Sequence, residues 1–170
     1  MDETTRTMNQ AVAAIRNREG KYLTFSLGKE EYGLGILKVK EIIGLMPITT
    51  VPRTPAFVKG VINLRGKVIP VVDLRLKFEM EEIAYTERTC IIVVEIAASG
   101  GAIPMGIVVD SVSEVLNIKQ GEIEDTPTFG SRLNMEYILG MAKTGGGVKI
   151  LLDIDKVLSC EEVSLLQKAA

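Results

Sequence analysis

The sequence predicts a mainly β protein built as two small barrels packed together. Three observations predict it: an ordered internal repeat, short strand-like runs broken by glycine turns in both halves, and a scarcity of helical periodicity. Gly33-Leu34-Gly35-Ile36-Leu37-Lys38-Val39-Lys40-Glu41-Ile42-Ile43 overlies Gly106-Ile107-Val108-Val109-Asp110-Ser111-Val112-Ser113-Glu114-Val115-Leu116 without a gap at an offset of 73. Thr54-Pro55-Ala56-Phe57 overlies Thr126-Pro127-Thr128-Phe129 at an offset of 72. Residues 60–78 overlie 140–158 at an offset of 80, with Gly60/Gly140, Gly66/Gly146, Val68/Val148 and Asp73/Asp153 identical. Three blocks in one order, in two copies, describe a duplicated unit rather than a solenoid.

In chain order, Met8, Val12 and Ile15 share one helical face, so residues 1–20 read as an N-terminal tail or short helix. Residues 22–27 alternate, Gly28-Lys29-Glu30-Glu31 turns, and residues 32–36 return, a hairpin. Pro55 can introduce a short helical turn over residues 54–59. Residues 68–74 form a β-branched strand, in which Pro70 belongs on an edge or at a bulge because it has no amide to give a ladder. The polar stretch 86–89 marks a boundary between a first barrel, residues 21–85, and a second, residues 86–158. In the second copy residues 91–96, a turn at Ser99-Gly100-Gly101 and residues 103–109 repeat the hairpin, and residues 148–154 repeat the later strand. Ser159-Cys160-Glu161-Glu162 is a capping box ahead of Val163, Leu165 and Leu166, so residues 159–170 read as a helix laid against the second barrel.

Composition narrows the function. A net charge of −2 and a pI near 5.4, with 20 basic residues scattered among 22 acids, argue against a nucleic-acid partner. No run reaches the ~18 apolar residues of a membrane span, and the polar, acid-containing start MDETTRTMNQ is unlike a signal peptide, so a soluble intracellular protein is expected. Histidine is absent, which removes the commonest general base and metal ligand. Cys90 and Cys160 are not a CxxC pair and read as buried thiols. No metal or cofactor is expected.

The duplication serves as an internal control. Asn63-Leu64-Arg65 in the first copy is replaced by Lys143-Thr144-Gly145 in the second, between glycines that both copies keep. A barrel closes without Asn63 and Arg65, which makes both candidates for function. Arg65 precedes Gly66 on a tight turn, where its guanidinium fork can grip a partner's carboxylate or carbonyl, pair internally with Glu41 or Asp73, or do both.

The run Lys59-Gly60-Val61-Ile62-Asn63-Leu64-Arg65-Gly66, continued by Val68-Ile69-Pro70-Val71-Val72-Asp73-Leu74, resembles the signature of the CheW family of chemotaxis coupling proteins. Glu31-Tyr32-Gly33, the segment from Ile36 to Ile42, Thr54-Pro55-Ala56-Phe57 and Gly106-Ile107-Val108-Val109-Asp110 agree with it. The resemblance implies two five-stranded, SH3-like β-barrels in a pseudo-twofold arrangement around a shared apolar interface, with a few short helices including a C-terminal one. It also implies a cytoplasmic, non-catalytic adaptor in receptor arrays at the inner face of the membrane, without inserting into it. Its partners would be the regulatory domain of the histidine kinase CheA and the helical tips of chemoreceptors. By the same resemblance, Val39, Glu41, Gly60, Asn63, Arg65 and Val115 are expected to face the receptor, and Lys59, Val68 and Phe129 the kinase.

Plainer roles stand beside these. Val39 and Val115 fit core packing, Gly60 recurs as Gly140, Phe129 as Phe57 and Glu41 as Glu114. A coupling protein of a related pathway, such as surface motility, is the nearer alternative. The remoter one is a small β-barrel enzyme built on Asp73, Asp110 and Asp153, but these follow apolar strands as structural caps would. Gly145-Gly146-Gly147 lacks the Lys and Ser/Thr helix of a phosphate loop.

Overall fold

Alternating residues and a two-residue turn at Gly28 join β1 (Gly20–Leu27) to β2 (Glu30–Gly35). A single 3-10 turn at Ile36–Lys38 leads into β3 (Val39–Gly44), after which β4 (Val58–Leu64), β5 (Lys67–Asp73) and a one-turn helix α1 (Leu74–Lys77) complete the first copy. The second copy runs through β6 (Cys90–Ala98), β7 (Gly101–Val109), β8 (Ser111–Ile118), β9 (Ile123–Glu124), β10 (Ile138–Thr144), β11 (Gly147–Leu152) and α2 (Ile154–Val157). The computed structural model describes residues 18–98, 101–125, 137–145 and 147–158. Most of the expected N-terminal helix, the whole expected C-terminal helix, Cys160 and Phe129 lie outside them. Among the described residues no helix is long and apolar enough to cross a membrane.

The strands form two sheets, in the orders β8-β1-β2-β11-β10-β9 and β3-β6-β7-β5-β4. Each therefore draws on both copies. The β1–β2 hairpin of the first copy joins the strands that follow β7, and the β6–β7 hairpin of the second joins β3, β4 and β5. The division expected at 85/86 does not follow the sheets: one sheet takes its strands from Val39 to Val109, and the other joins the N-terminal hairpin to the strands β8 to β11. The cause is connection length. A single residue, Asp110, separates β7 from β8, too little for the chain to double back, so it runs on into the other sheet.

Each sheet closes on itself in the same way. Beyond β3, Thr49 pairs with Val61 of β4 through two backbone hydrogen bonds of 2.8 Å. Beyond β8, the two residues of β9 pair with Met141 and Ala142 of β10. Five strands and a closing segment thus make each small barrel. Pro70 lies on the interior strand β5 rather than an edge, but the parallel register with β7 begins only at Val71, so that flank has no ladder to lose. The expected helical turn over 54–59 is one hydrogen-bonded turn, Val58 N to Pro55 O at 3.0 Å, with β4 already starting at Val58. At the β1–β8 bulge the buried Thr24 hydroxyl replaces a missing backbone pair, donating to Glu114 O at 2.8 Å and accepting from Glu114 N at 3.1 Å.

Burial shows what the exchange achieves. Ile91 and Val93 of β6 point into their own barrel with Ile62, Ile69, Val71 and Val108. The alternate residues Ile92, Val94 and Ile96 point the other way, onto Leu23, Phe25, Leu27 and Leu34 of the first hairpin. This inter-barrel cluster exceeds either barrel's own core, and the second barrel holds only a small one around Tyr22, Ile118 and Leu151. Strands buried on both faces explain the continuous apolar run from Ile91 to Val94.

Ion pairs brace the crossings. Arg75 of α1 donates Nε and Nη2 to the two carboxylate oxygens of Asp110 at 2.7 and 2.6 Å, and the Gly28 amide reaches Asp110 Oδ2 at 2.7 Å. At the pseudo-equivalent corner the polarity is reversed: Asp155 of α2 takes Lys38 at 2.6 Å and the Ala97 amide at 2.9 Å. Burial pushes the Asp110 carboxyl up, but the Arg75 hydrogen bonds, the Gly28 amide and the Arg75 charge outweigh it and leave it below the ordinary aspartate range.

A depressed carboxyl stabilises the fold above its unfolded-state pKa of about 3.9, and that contribution is lost as pH falls through the folded-state value. Arg75→Ala is expected to cost about 1–3 kcal/mol in urea unfolding at pH 7 by leaving a half-buried carboxylate with the Gly28 amide alone. It should also flatten the loss of stability below pH 4; an unchanged acid limb would assign that loss to other groups.

Candidate functional site

The residues singled out in the sequence gather mainly along one seam, where the outer strands β3 and β4 of the five-stranded barrel are brought together. Arg65 is the first residue of the two-residue β4–β5 turn, and its guanidinium pairs with Glu41 of β3. Of the two internal partners open to it, Glu41 is therefore the one taken. The Arg65 hydrogen bond holds the Glu41 carboxyl below its ordinary range, opposed by slight desolvation and helped by the charges of Arg65 and Lys40. Arg65 remains 69% exposed, so the pair sits at the surface with donors to spare.

The backbone at Arg65 is unusual. Its φ is 50°, in the left-handed region, with Gly66 following at 87°. This geometry fits the tight hairpin, and at the matching place the second copy has a glycine, Gly145, at 56°. A non-glycine residue there costs about 1–2 kcal/mol. The first copy thus keeps an arginine where its own duplicate shows that glycine serves the turn better.

Asn63 has a structural task. Its Oδ1 accepts the Gly66 amide at 2.9 Å and so fixes the turn that presents Arg65. Gly60 is buried at a bulge with φ 141°, and a Cβ there would lie 1.9 Å from the Thr49 carbonyl oxygen that closes the barrel. Val39 starts β3, half-buried against the inter-barrel cluster. Val115 stands off this seam, exposed on β8 of the other sheet and in register with Leu23.

Of the residues expected to face a kinase, Lys59 is half-buried, bridged to Glu82 at 3.0 Å and 5.5 Å from the centre of the Tyr85 ring. Val68 is 67% exposed and pairs with Asn63, which places it on the same hairpin tip as Arg65. Phe129 lies outside the described residues.

Two carboxylates of the enzyme alternative, Asp73 and Asp110, are engaged by the protein. Asp73 caps α1 through the Arg75 amide at 2.9 Å and accepts the Tyr85 hydroxyl at 3.0 Å, while Asp110 holds Arg75 and Gly28. Asp153 precedes α2 as Asp73 precedes α1.

Residues 21–162 match the CheW-like domain family. The chain belongs to that family. It is 44% identical over 150 residues to the chemotaxis protein CheW of Klebsiella aerogenes, covering 88% of each chain. It is 30% identical over 152 residues to protein FrzA of Myxococcus xanthus, covering 88% of this chain and 92% of that one. In structure it is similar to the scaffolding protein TtCheW from Thermoanaerobacter tengcongensis, with a TM-score of 0.74 and 35% identity over 83% of this chain and 93% of that chain. A mainly β CheW-like fold with a scaffold's family ties is thereby shown.

Among the exposed apolar residues of this CheW-like domain that were not singled out as site residues, two stand out. Val148, 51% exposed, is the second-copy image of Val68, so each barrel carries an exposed valine beside its hairpin turn. The offset of 80 pairs it with Val68 in the sequence but does not show its exposure. Leu37 is 96% exposed on the 3-10 turn; its signal was its alignment with Asp110, an apolar residue where the other copy keeps a carboxylate.

Gly60→Ala is expected to lower stability by more than about 1 kcal/mol, because the new methyl group meets a backbone carbonyl at a left-handed φ. Arg65→Gly should leave the thermal midpoint unchanged or raised. A clear fall for Arg65→Gly would mean that the Glu41 pair, rather than the turn, governs this corner.

Proposed function

We propose that this chain couples the cytoplasmic tips of chemoreceptors to the regulatory domain of the kinase CheA, by docking alone. The observation that carries the reading is Arg65: a donor-rich side chain, exposed beside an acid, kept in a strained turn that the duplicate copy fills with glycine. The helix-shaped receptor tip suits a surface that combines exposed apolar residues with an Arg–Glu seam, as in helix-in-groove recognition. Val39, Glu41, Gly60, Asn63, Arg65 and Val115 are assigned to the receptor side. Gly60 and Asn63 serve it indirectly, by shaping the hairpin. Lys59, Val68 and Phe129 are assigned to the kinase side. The protein would then reside in the cytoplasm, in receptor arrays at the inner face of the membrane, and catalyse nothing. The relative named FrzA supports a second reading, coupling in a related receptor–kinase pathway.

Arg65→Glu should preserve the circular dichroism spectrum and abolish receptor-dependent control of kinase activity in a reconstituted assay. Normal control with an intact fold would refute the assignment. Co-sedimentation with receptor fragments and kinase, omitting each component in turn, should show that this chain binds either one alone and bridges both. Binding to one and never to the other would require a different function.

A further inference from the structure

The ion pair of the first barrel has only half an image in the second. Both outer strands carry a bulge at the same place: β3 shifts register on β6 between Val39 and Glu41, and β8 shifts on β1 between Val112 and Val115. The residues on either side match across the copies. Val39 and Val112 pack on the inter-barrel cluster, while Ile42 and Val115 are 44% and 49% exposed. Glu114 is thus the structural counterpart of Glu41, in agreement with the offset of 73. Where Arg65 meets Glu41, however, the second copy has Gly145 in the same left-handed conformation.

Glu114 is exposed, and among the described residues its carboxylate has no hydrogen-bond or ion-pair partner. The lysines of the β10–β11 hairpin are taken. Lys143 bridges Glu124 at 2.5 Å, and Lys149 pairs with Glu31, which also accepts the Ser113 hydroxyl at 3.3 Å. The place an arginine would fill is open, since a Cβ on Gly145 meets nothing within 4 Å. The backbone of Glu114 is nonetheless fixed, because the buried Thr24 hydroxyl bonds both its N–H and its carbonyl. A carboxylate presented from an ordered backbone loses less freedom on docking.

We infer that Glu114 is a further docking residue, which takes a cationic side chain of the receptor tip in the space that Arg65 fills in the first copy. A guanidinium fits, because the same bulged glutamate accepts one in the other barrel, and exposed Val115 beside it can cover the apolar stem. The choice of the receptor rests on the proposed function, which assigns Val115 to the receptor side. Val115, standing off the Arg65 seam, thereby gains a polar neighbour of its own.

The test measures binding of a receptor-tip fragment and of the kinase regulatory domain to the full chain by calorimetry. Glu114→Lys should weaken receptor binding about tenfold at low salt and less at high salt, with kinase binding and the thermal midpoint unchanged. Gly145→Arg should weaken it as well, by giving Glu114 the internal partner that Glu41 already has. Changing one arginine or lysine of the receptor tip to glutamate should restore binding to the Glu114→Lys variant but not to Arg65→Glu. Should Glu114→Lys fail to fold, Gly145→Arg and Glu114→Gln decide. Unchanged receptor binding in these variants overturns the inference, and if Arg65→Glu still abolishes binding, the receptor reading stands without it. A loss of kinase binding in place of receptor binding gives the corner to the kinase and overturns the inference too. Weakening by Glu114→Lys but not by Arg65→Glu upholds the inference and removes the Arg65 assignment. An unaltered chain that binds no receptor fragment sinks both.

Discussion

The apolar layer between the barrels is the interaction on which the rest of the structure depends. The alternate residues of β6 that face away from their own barrel meet Leu23, Phe25, Leu27 and Leu34, and this layer buries more large side chains than either barrel interior. Small barrels of five short strands enclose little volume and bury a modest fraction of their surface, so each alone would be marginal. Pooling their outer faces supplies the missing burial. The two lobes are therefore one folding unit, and the surface features at the hairpin tips are held by a common core.

Around that layer the duplicated copies have diverged in instructive ways. The corner contacts at Arg75–Asp110 and Asp155–Lys38 do the same job with opposite charges. Geometry required a pair at each crossing but not which side bore the cation. The turn at Arg65 and its image at Gly145 show the reverse case, in which backbone geometry stayed the same while the side chain was free to acquire a role.

Much of the fold was legible because its signals are local. Both hairpins announced themselves through alternation and glycine turns, and their bounds in the structure differ from the reading by a few residues. Which sheet each hairpin joins was not legible, because that depends on the one-residue link at Asp110, whose meaning appears only once the strand ends are known. The helices α1 and α2 are single turns, too short to show a 3.6-residue period. At the candidate site, Arg65 stood out because the copies disagree there, and its Glu41 partner was one of two acids within the reading. The task of Asn63 stayed hidden, since an amide that caps a turn and an amide that meets a partner look alike in sequence. Leu37 and Val148 were passed over because an apolar residue in an apolar pattern does not by itself show that it faces water; only the comparison of the copies, with Asp110 and with Val68, marks them.

The exchanged hairpins bear on how such a chain arose. A half-length ancestor with so short a link between its hairpin and its third strand had no room to fold that hairpin onto its own sheet. It would have had to borrow the hairpin of a twin molecule, as an intertwined homodimer whose survival depended on how much of it the cell contained. In a single chain that carries both copies the loan is internal. Such an assembly does not thin out with dilution, and its two halves, not obliged to be identical, can differ as Arg65 and Gly145 do.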